Sequence, residues 1–110
     1  MKLPSMGFAT ADFDAIPPAI ERGESGKSVS RTSERDGLRL RMVEYGPGYV
    51  ADHWCDRGHV VFVIQGTIEV ELRDGRTFTL NANMSFAVSD HGDSSHRIKT
   101  SEGGAAFIVD

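Results

Sequence analysis

The chain is short of cysteine, of basic residues and of long apolar runs. Cys55 is the one cysteine among 110 residues, so no intramolecular disulfide can form. The 12 Lys and Arg residues are outnumbered by 16 Asp and Glu, which gives a net charge of -4 and excludes the basic face that nucleic acid requires. No stretch approaches the roughly 18 apolar residues of a membrane span. The first residues also lack the apolar segment of a signal peptide. A cytoplasmic protein with a reduced thiol is therefore predicted.

Helical patterning is also nearly absent. No window of 12 or more residues has a 3.6-residue period, and only residues 12–16 predict one helical turn, which Pro17 ends. The 12 glycines exceed the usual share of roughly 7% and lie between apolar runs. Alternating or continuous apolar patterns predict strands at 27–35, 38–42, 59–64, 67–73, 76–80, 84–89, 95–100 and 105–109. The Asp36-Gly37 and Asp74-Gly75 dipeptides predict hairpin turns.

Seven to nine short strands with regular turn signals are typical of an all-β, antiparallel sandwich or barrel, such as a jelly roll. The length suits a single domain. We expect that domain to span residues 1–110, with 1–26 as an N-terminal arm and loop and 27–110 as the barrel.

The chemistry-bearing residues are concentrated in one region, because the cysteine and all four histidines lie between positions 53 and 96. His53 and Cys55 are two residues apart and would project from the same face of a strand, while His59 begins the next strand. Imidazole nitrogen and thiolate sulfur are ligands of zinc and similar ions. Three donors can thus converge from one predicted hairpin, and a fourth must come from elsewhere in the chain, either His96 or His91.

These residues resemble a known family. The spacing Gly48-x4-His53-x-Cys55-x3-His59-x6-Gly66 resembles the first cupin motif, Gly-x5-His-x-His-x3-Glu-x6-Gly. It is one residue shorter at the front, and Cys and His replace the second His and the Glu. The second cupin motif is degenerate, with Asn83-Met84 in place of Gly-Asp and Ser89 in place of Pro. The tetrapeptide Asp52-His53-Trp54-Cys55 is similar to that of the small DHCW-motif cupins.

The resemblance implies a cupin-type double-stranded β-helix, which is a jelly-roll barrel with little helix, and a homodimer. It also implies a metal ion inside the barrel. Carried over position by position, the ligands are His53, Cys55, His59 and His96. His91 is the alternative to His96, because one extra residue separates Gly92 from His96 relative to the motif.

Thiolate with imidazoles favours one divalent transition metal and argues against calcium or magnesium. Zinc is the first choice, and nickel, iron and copper are the alternatives. The usual iron triad has two histidines and one carboxylate, whereas the motif position normally held by Glu is His59 here.

A pocket above the metal would bind an unidentified small molecule. Strand parity places Gln65 on the same face as His59 if the strand is unbroken, so Gln65 is predicted to face inward. Tyr49 and Phe86 are the other pocket candidates. A wider set consists of Arg39, Arg41 and Tyr45. Trp54, between two proposed ligands, is predicted to point away from the metal and pack.

Three functions follow from the state of the metal. An open coordination position would suit a small metal-dependent enzyme. Four protein ligands would give a purely structural ion. The third possibility is a non-catalytic module that senses a small molecule or the metal, with Cys55 responding to oxidation.

Overall fold

A computed structural model of the protein describes residues 3–110. These residues form eight strands and one 3₁₀ turn, Phe13–Ala15, whose N-cap is Asp12. The strands are β1 (Ala19–Arg22), β2 (Lys27–Arg35), β3 (Leu38–Tyr45), β4 (His59–Leu72), β5 (Thr77–Asn81), β6 (Ser85–Val88), β7 (His96–Lys99) and β8 (Gly104–Val109). The predicted all-β, antiparallel class is confirmed. In the described part of the chain, no helix is long and apolar enough to cross a membrane.

Strand β4 belongs to both sheets of the barrel. Its first half pairs with β6 and β8, which continues the order β1-β2-β3-β8-β4 of the first sheet. Its second half pairs with β5 and β7 in the second sheet. The sequence predicted two separate strands here, at 59–64 and 67–73, and the structure joins them into one.

The change of sheet takes place at an irregularity in the β4–β8 ladder. The register shifts between Val63 and Gln65, and Gly66 follows with φ +73°. Before the shift, Val61 and Val63 are buried, whereas after it the buried positions are Ile68 and Val70. The inward face therefore moves from odd to even residue numbers, as a β-bulge requires.

The bulge overturns the expected orientation of Gln65. Parity with His59 holds only along an unbroken strand, and the extra residue breaks it. Gln65 is exposed, so it needs no buried hydrogen-bond partner.

The core lies between the two sheets and consists of apolar side chains from strands of both. Its buried members are Val43, Tyr45, Val61, Val63, Ile68, Val70, Leu80, Ala106 and Ile108. Burial of these side chains away from water is the main favourable contribution to folding. Tyr49, Leu72, Phe86 and Ile98 pack against this cluster and are partly buried.

The N-terminal segment is more regular than the expected arm and loop, because it contributes β1, which pairs with β2. Arg31 of β2 holds the 3₁₀ turn by donating from Nη1 to the carbonyl oxygens of Phe13 (3.1 Å) and Ile16 (2.7 Å). The Phe13 ring packs edge-on against Phe107 of β8, with 6.1 Å between ring centroids. This segment therefore covers part of the outer face of the first sheet.

The bend in β4 gives the first testable prediction. A Cβ on Gly66 would lie 2.4 Å from the carbonyl oxygen of Gly103, whereas a Cβ on Gly37, which also has positive φ (+83°), would meet no atom within 4 Å. Gly66→Ala should therefore lower the free energy of unfolding by about 1–3 kcal/mol more than Gly37→Ala. Urea denaturation followed by circular dichroism measures both, and equal losses would contradict the role assigned to this contact.

Candidate metal centre

The residues Cys55, His59 and His96 meet inside the barrel, although 41 positions separate the first from the last. Each offers one ligand atom, and these atoms all lie within 4.8 Å of one another. His59 begins β4, His96 begins β7, and Cys55 lies in the loop of residues 51–58, which we name the Cys55 loop. The three donors therefore come from three separate parts of the backbone.

The two imidazoles are in direct contact. Nε2 of His59 lies 2.7 Å from Nε2 of His96, and Sγ of Cys55 lies 3.9 Å from the same His59 atom. Phe86 borders both rings edge-on, at centroid distances of 6.3 Å from His59 and 5.8 Å from His96. The two imidazoles that offer nitrogen donors are thus in contact with the apolar ring of Phe86.

Asp110 fixes the orientation of His59. Its Oδ2 lies 3.2 Å from Nδ1 of His59, and the neutral imidazole that donates from Nδ1 keeps its Nε2 lone pair for the centre. Arg39 donates to Asp110 from Nε and Nη2, and Arg41 donates from Nη2 at 2.8 Å. The Asp110 side chain is only 3% exposed. A carboxylate behind a ligating histidine is a common support of metal sites.

The pKa shifts agree with this arrangement. Burial lowers the pKa of His59, and the charges of Arg41 and Arg39 act in the same direction, against the Asp110 hydrogen bond. Burial also lowers the pKa of His96, and the neighbouring His59 adds to that effect. For Asp110, burial alone would raise the pKa, but the Arg39 hydrogen bond and the Arg41 charge bring it below its usual value. Both imidazoles therefore favour the neutral form that binds metals.

The Cys55 loop is tied to β7 by its backbone. The Cys55 amide donates to the His96 carbonyl at 2.7 Å, and the His96 amide donates back at 3.0 Å. The guanidinium of Arg97 stacks over the Trp54 ring, 4.6 Å from its centroid. Trp54 therefore packs against Arg97, in agreement with its predicted packing role, while Cys55 contributes to the centre.

His53 lies apart from the other three predicted ligands. The expected strand through 53 and 55 is absent, because only Cys55 of this pair makes a bridge, so the same-face argument does not apply. The His53 side chain is 76% exposed, and its Nδ1 lies 2.7 Å from Asp52. His53 borders the same cavity as the three donors, but its role as a ligand stays a prediction.

His91, the alternative fourth ligand, is exposed in a loop and has φ +51°. Its backbone amide donates to the carbonyl of Asp56 at 2.9 Å. This bond links the loop to the Cys55 loop through the main chain. The structure thus brings His96, and not His91, to Cys55 and His59.

The donor set fits a transition-metal ion. In a tetrahedral zinc site with bonds of 2.0–2.3 Å, two nitrogens lie about 3.4 Å apart and nitrogen and sulfur about 3.6 Å apart. The observed 3.9 Å from Sγ of Cys55 to Nε2 of His59 is close to the zinc value, whereas the 2.7 Å between the two Nε2 atoms is a hydrogen-bond distance, so the imidazoles would have to separate by about 0.7 Å to admit an ion. The neutral imidazoles and the Asp110 support also meet the chemical needs of such a site.

A cavity of about 120 Å³ adjoins the centre. Tyr49 and Phe86, both predicted pocket residues, line it, and so do Arg41 and Tyr45 of the wider set. Gln65 and Arg39 are not among its lining residues. Sequence reasoning missed Arg97 as a lining residue and Asp110 as the partner of His59. Alternation along 105–109 continues to position 110, and that signal could have placed Asp110 on the inner face.

Comparison with solved structures identifies the architecture. A cupin-2 domain protein from Shewanella frigidimarina matches over 74% of this chain and 78% of its own, with a TM-score of 0.59 and 19% identity. A predicted oxalate decarboxylase from Thermotoga maritima matches over 92% of this chain and 96% of its own, with a TM-score of 0.75 and 13% identity. The chain has the cupin fold.

A third structure similar to this chain is Fe(II) HppE, with a TM-score of 0.75 and 15% identity over 96% of this chain and 61% of the other. No protein-family model and no curated protein matches the sequence. At these low identities the likeness extends to the fold, while activity depends on the site.

The Asp110 contact gives the second prediction. Asp110→Asn keeps the size of the side chain but removes the charge that supports His59, so metal affinity should fall by about 10- to 100-fold. Competition with a chromophoric chelator measures this loss. Asp52→Asn is the matched control, because Asp52 contacts the exposed His53. If Asp110→Asn bound metal as tightly as the unaltered protein, the Asp110 contact would be irrelevant to the centre.

Proposed function

We propose that this cupin domain binds one divalent transition-metal ion through Cys55, His59 and His96. The observation that carries the proposal is the convergence of one thiol and two imidazoles within 4.8 Å, in a chain that has only five such residues. Fe(II) HppE, an iron protein that shares this fold, gives independent support for metal chemistry on such a scaffold.

Zinc is the proposed ion. Sites with three nitrogen or sulfur ligands from the protein are typical of catalytic zinc, which keeps its fourth position for water or substrate. Copper is the main competitor, because two histidines and a cysteine also form trigonal copper sites. A bound zinc ion would supply Lewis-acid polarisation of a carbonyl or activation of water near neutral pH.

The domain would act as a small metal-dependent enzyme on a small molecule held in the adjoining cavity. Asp110 would hold His59 in one tautomer, and Phe86 would limit the access of water to the imidazoles. The cavity walls would orient the ligand beside the metal. This role needs a coordination position that the protein leaves open.

A purely structural ion is the second candidate, and the position of His53 at the cavity favours it. If the exposed His53 ring turned from Asp52 to the centre, four protein ligands would close the site. The predicted four-residue ligand set and the three-residue set therefore lead to different functions.

The third prediction tests the three-ligand and the four-ligand alternatives. Elemental analysis of protein purified without added metal should find close to one transition-metal ion per chain. Cys55→Ser should lower that content severalfold, because a serine hydroxyl is a poor ligand for these ions at neutral pH. If only Cys55, His59 and His96 bind the ion, His53→Ala should leave the metal content unchanged. A loss of metal as large as that of Cys55→Ser would indicate that His53 is the fourth ligand and would favour the structural ion.

Metal-free protein of full stability would overturn the proposal itself. The control is His91→Ala, which removes an exposed imidazole remote from the Cys55, His59 and His96 group and should change neither metal content nor thermal stability.

We also propose that the protein is located in the cytoplasm and forms a homodimer. Reducing conditions there would keep Cys55 as a free, unoxidised side chain. Phe62 and Ile64 of β4 are 42% and 40% exposed, and contact with a second copy would cover such apolar side chains. Light scattering of the purified protein measures the mass, and a monomer at all concentrations would rule out the dimer.

A further inference from the structure

A second cavity borders the candidate centre and lies between strands β5 and β6. Its volume is about 230 Å³. In the described chain, β5 and β6 each pair with β4 and not with each other, so the two sheets leave a gap here. The lining includes apolar side chains of all three strands, namely Val70, Leu72, Phe78, Leu80, Phe86 and Val88. We name this space the β5–β6 cavity.

The β5–β6 cavity has a buried floor and a mouth that is open to solvent. Val70, Leu80 and His96 line it and are buried. Phe78 is 50% exposed, and about half of the Arg76 and Asp93 side chains is exposed as well. The lining therefore continues from the surface to the core, and a molecule can enter from solvent.

This cavity is separate from the one assigned to the proposed function. Phe86 and His96 line both the β5–β6 cavity and the smaller cavity of about 120 Å³ that adjoins the three donors. Every other lining residue belongs to only one of the two. The cavities therefore meet at two side chains, and a molecule in the β5–β6 cavity contacts the centre only through them.

The charged groups at the mouth carry an excess of negative charge. Nη2 of Arg76 lies 2.8 Å from Oδ2 of Asp74 and also contacts Asp93, so one positive charge faces two negative charges. The Arg76 hydrogen bonds hold the pKa of Asp74 and of Asp93 below the usual value. Ser94, which lines the cavity, accepts a hydrogen bond from the Asp74 amide at 3.2 Å, and its hydroxyl proton can be donated to another group. The mouth thus disfavours an anion and offers one hydrogen-bond donor.

We propose that the β5–β6 cavity binds a compact, uncharged and mainly apolar molecule with one polar group, such as an aromatic alcohol. Ligand sites in proteins are typically concave and apolar, with a few polar groups that fix the orientation. A protein cavity of ~150 Å³ holds benzene, so about 230 Å³ accommodates a ring with a short substituent. The ring contacts the apolar walls and removes them from water, and the hydroxyl accepts from Ser94. This inference goes beyond the proposed function and needs no metal ion.

The test uses benzyl alcohol as the probe and benzoate, a similar ring with a negative charge, as the control ligand. Binding is measured by ligand-observed NMR titration and by thermal shift. Val88→Phe fills the cavity, and Val60→Phe is its matched control, because Val60 is also a partly buried strand valine but does not line the cavity. Phe78→Ala removes an aromatic wall, and Phe62→Ala is its control, because Phe62 has a similar exposure and lies outside the cavity.

Benzyl alcohol should bind the unaltered protein and raise its melting temperature. Benzoate and the Val88→Phe variant should each show binding weaker by about tenfold or more. Phe78→Ala should weaken binding severalfold, and both control variants should bind like the unaltered protein. If circular dichroism showed that Val88→Phe does not fold, the comparison of Phe78→Ala with Phe62→Ala would decide.

Four results would overturn the proposal. They are no binding of benzyl alcohol, equal binding of benzoate, normal binding by a folded Val88→Phe variant, and equal effects of Phe78→Ala and Phe62→Ala.

The same titrations on zinc-loaded and chelator-treated protein separate this proposal from the proposed function. Binding in both states, lost in Val88→Phe, would support the cavity site even if the metal centre were rejected. Binding that required zinc would contradict a site that needs no metal ion. Retained zinc without binding of benzyl alcohol would reject the cavity site alone.

Discussion

The candidate centre depends on the bend in strand β4. His59 begins this strand, and its last residue, Leu72, pairs with His96. In a straight strand these ends would be roughly 40 Å apart, yet the Nε2 atoms of His59 and His96 lie 2.7 Å apart. The register shift at Val63 and Gln65, with Gly66 beside it, turns the second half of the strand into the facing sheet. One backbone irregularity thus both closes the barrel and brings the imidazoles together.

A second constraint is that one carboxylate, that of Asp110, contacts three groups. These are the guanidinium groups of Arg39 and Arg41 and the imidazole of His59. Strand β8 lies between β3 and β4, so Asp110, which follows β8, lies between the arginines of β3 and His59 of β4. Its negative charge therefore interacts with the two arginines on one side and with His59 on the other. The arrangement stabilises a buried carboxylate and holds His59 in one tautomer.

Strand β3 shows how an alternating pattern can mislead. Leu38, Leu40 and Met42 alternate with Arg39 and Arg41, and the apolar set would ordinarily face the core. Arg41 instead lines the cavity beside the three donors, while Leu38 and Leu40 line a second pocket with residues of the N-terminal segment. Arg39 and Arg41 are tolerated on the inner face because the carboxylate of Asp110 supplies the opposite charge. This partner lies about 70 positions away in the sequence.

Local sequence patterns determined where most of the strands of this protein lie. Alternation and turn dipeptides predicted β2 with its observed bounds and the positions of most other strands, because each depends on neighbours a few residues apart. The clustering of histidine and cysteine indicated the region of the centre, and the resemblance of their spacing to the first cupin motif implied the cupin fold. Tertiary structure alone decided that β4 is one bent strand, that Gln65 faces outward, and that His53 diverges from Cys55. It also decided that Asp110 and two arginines surround the site, because those contacts form only when distant strands pack against each other.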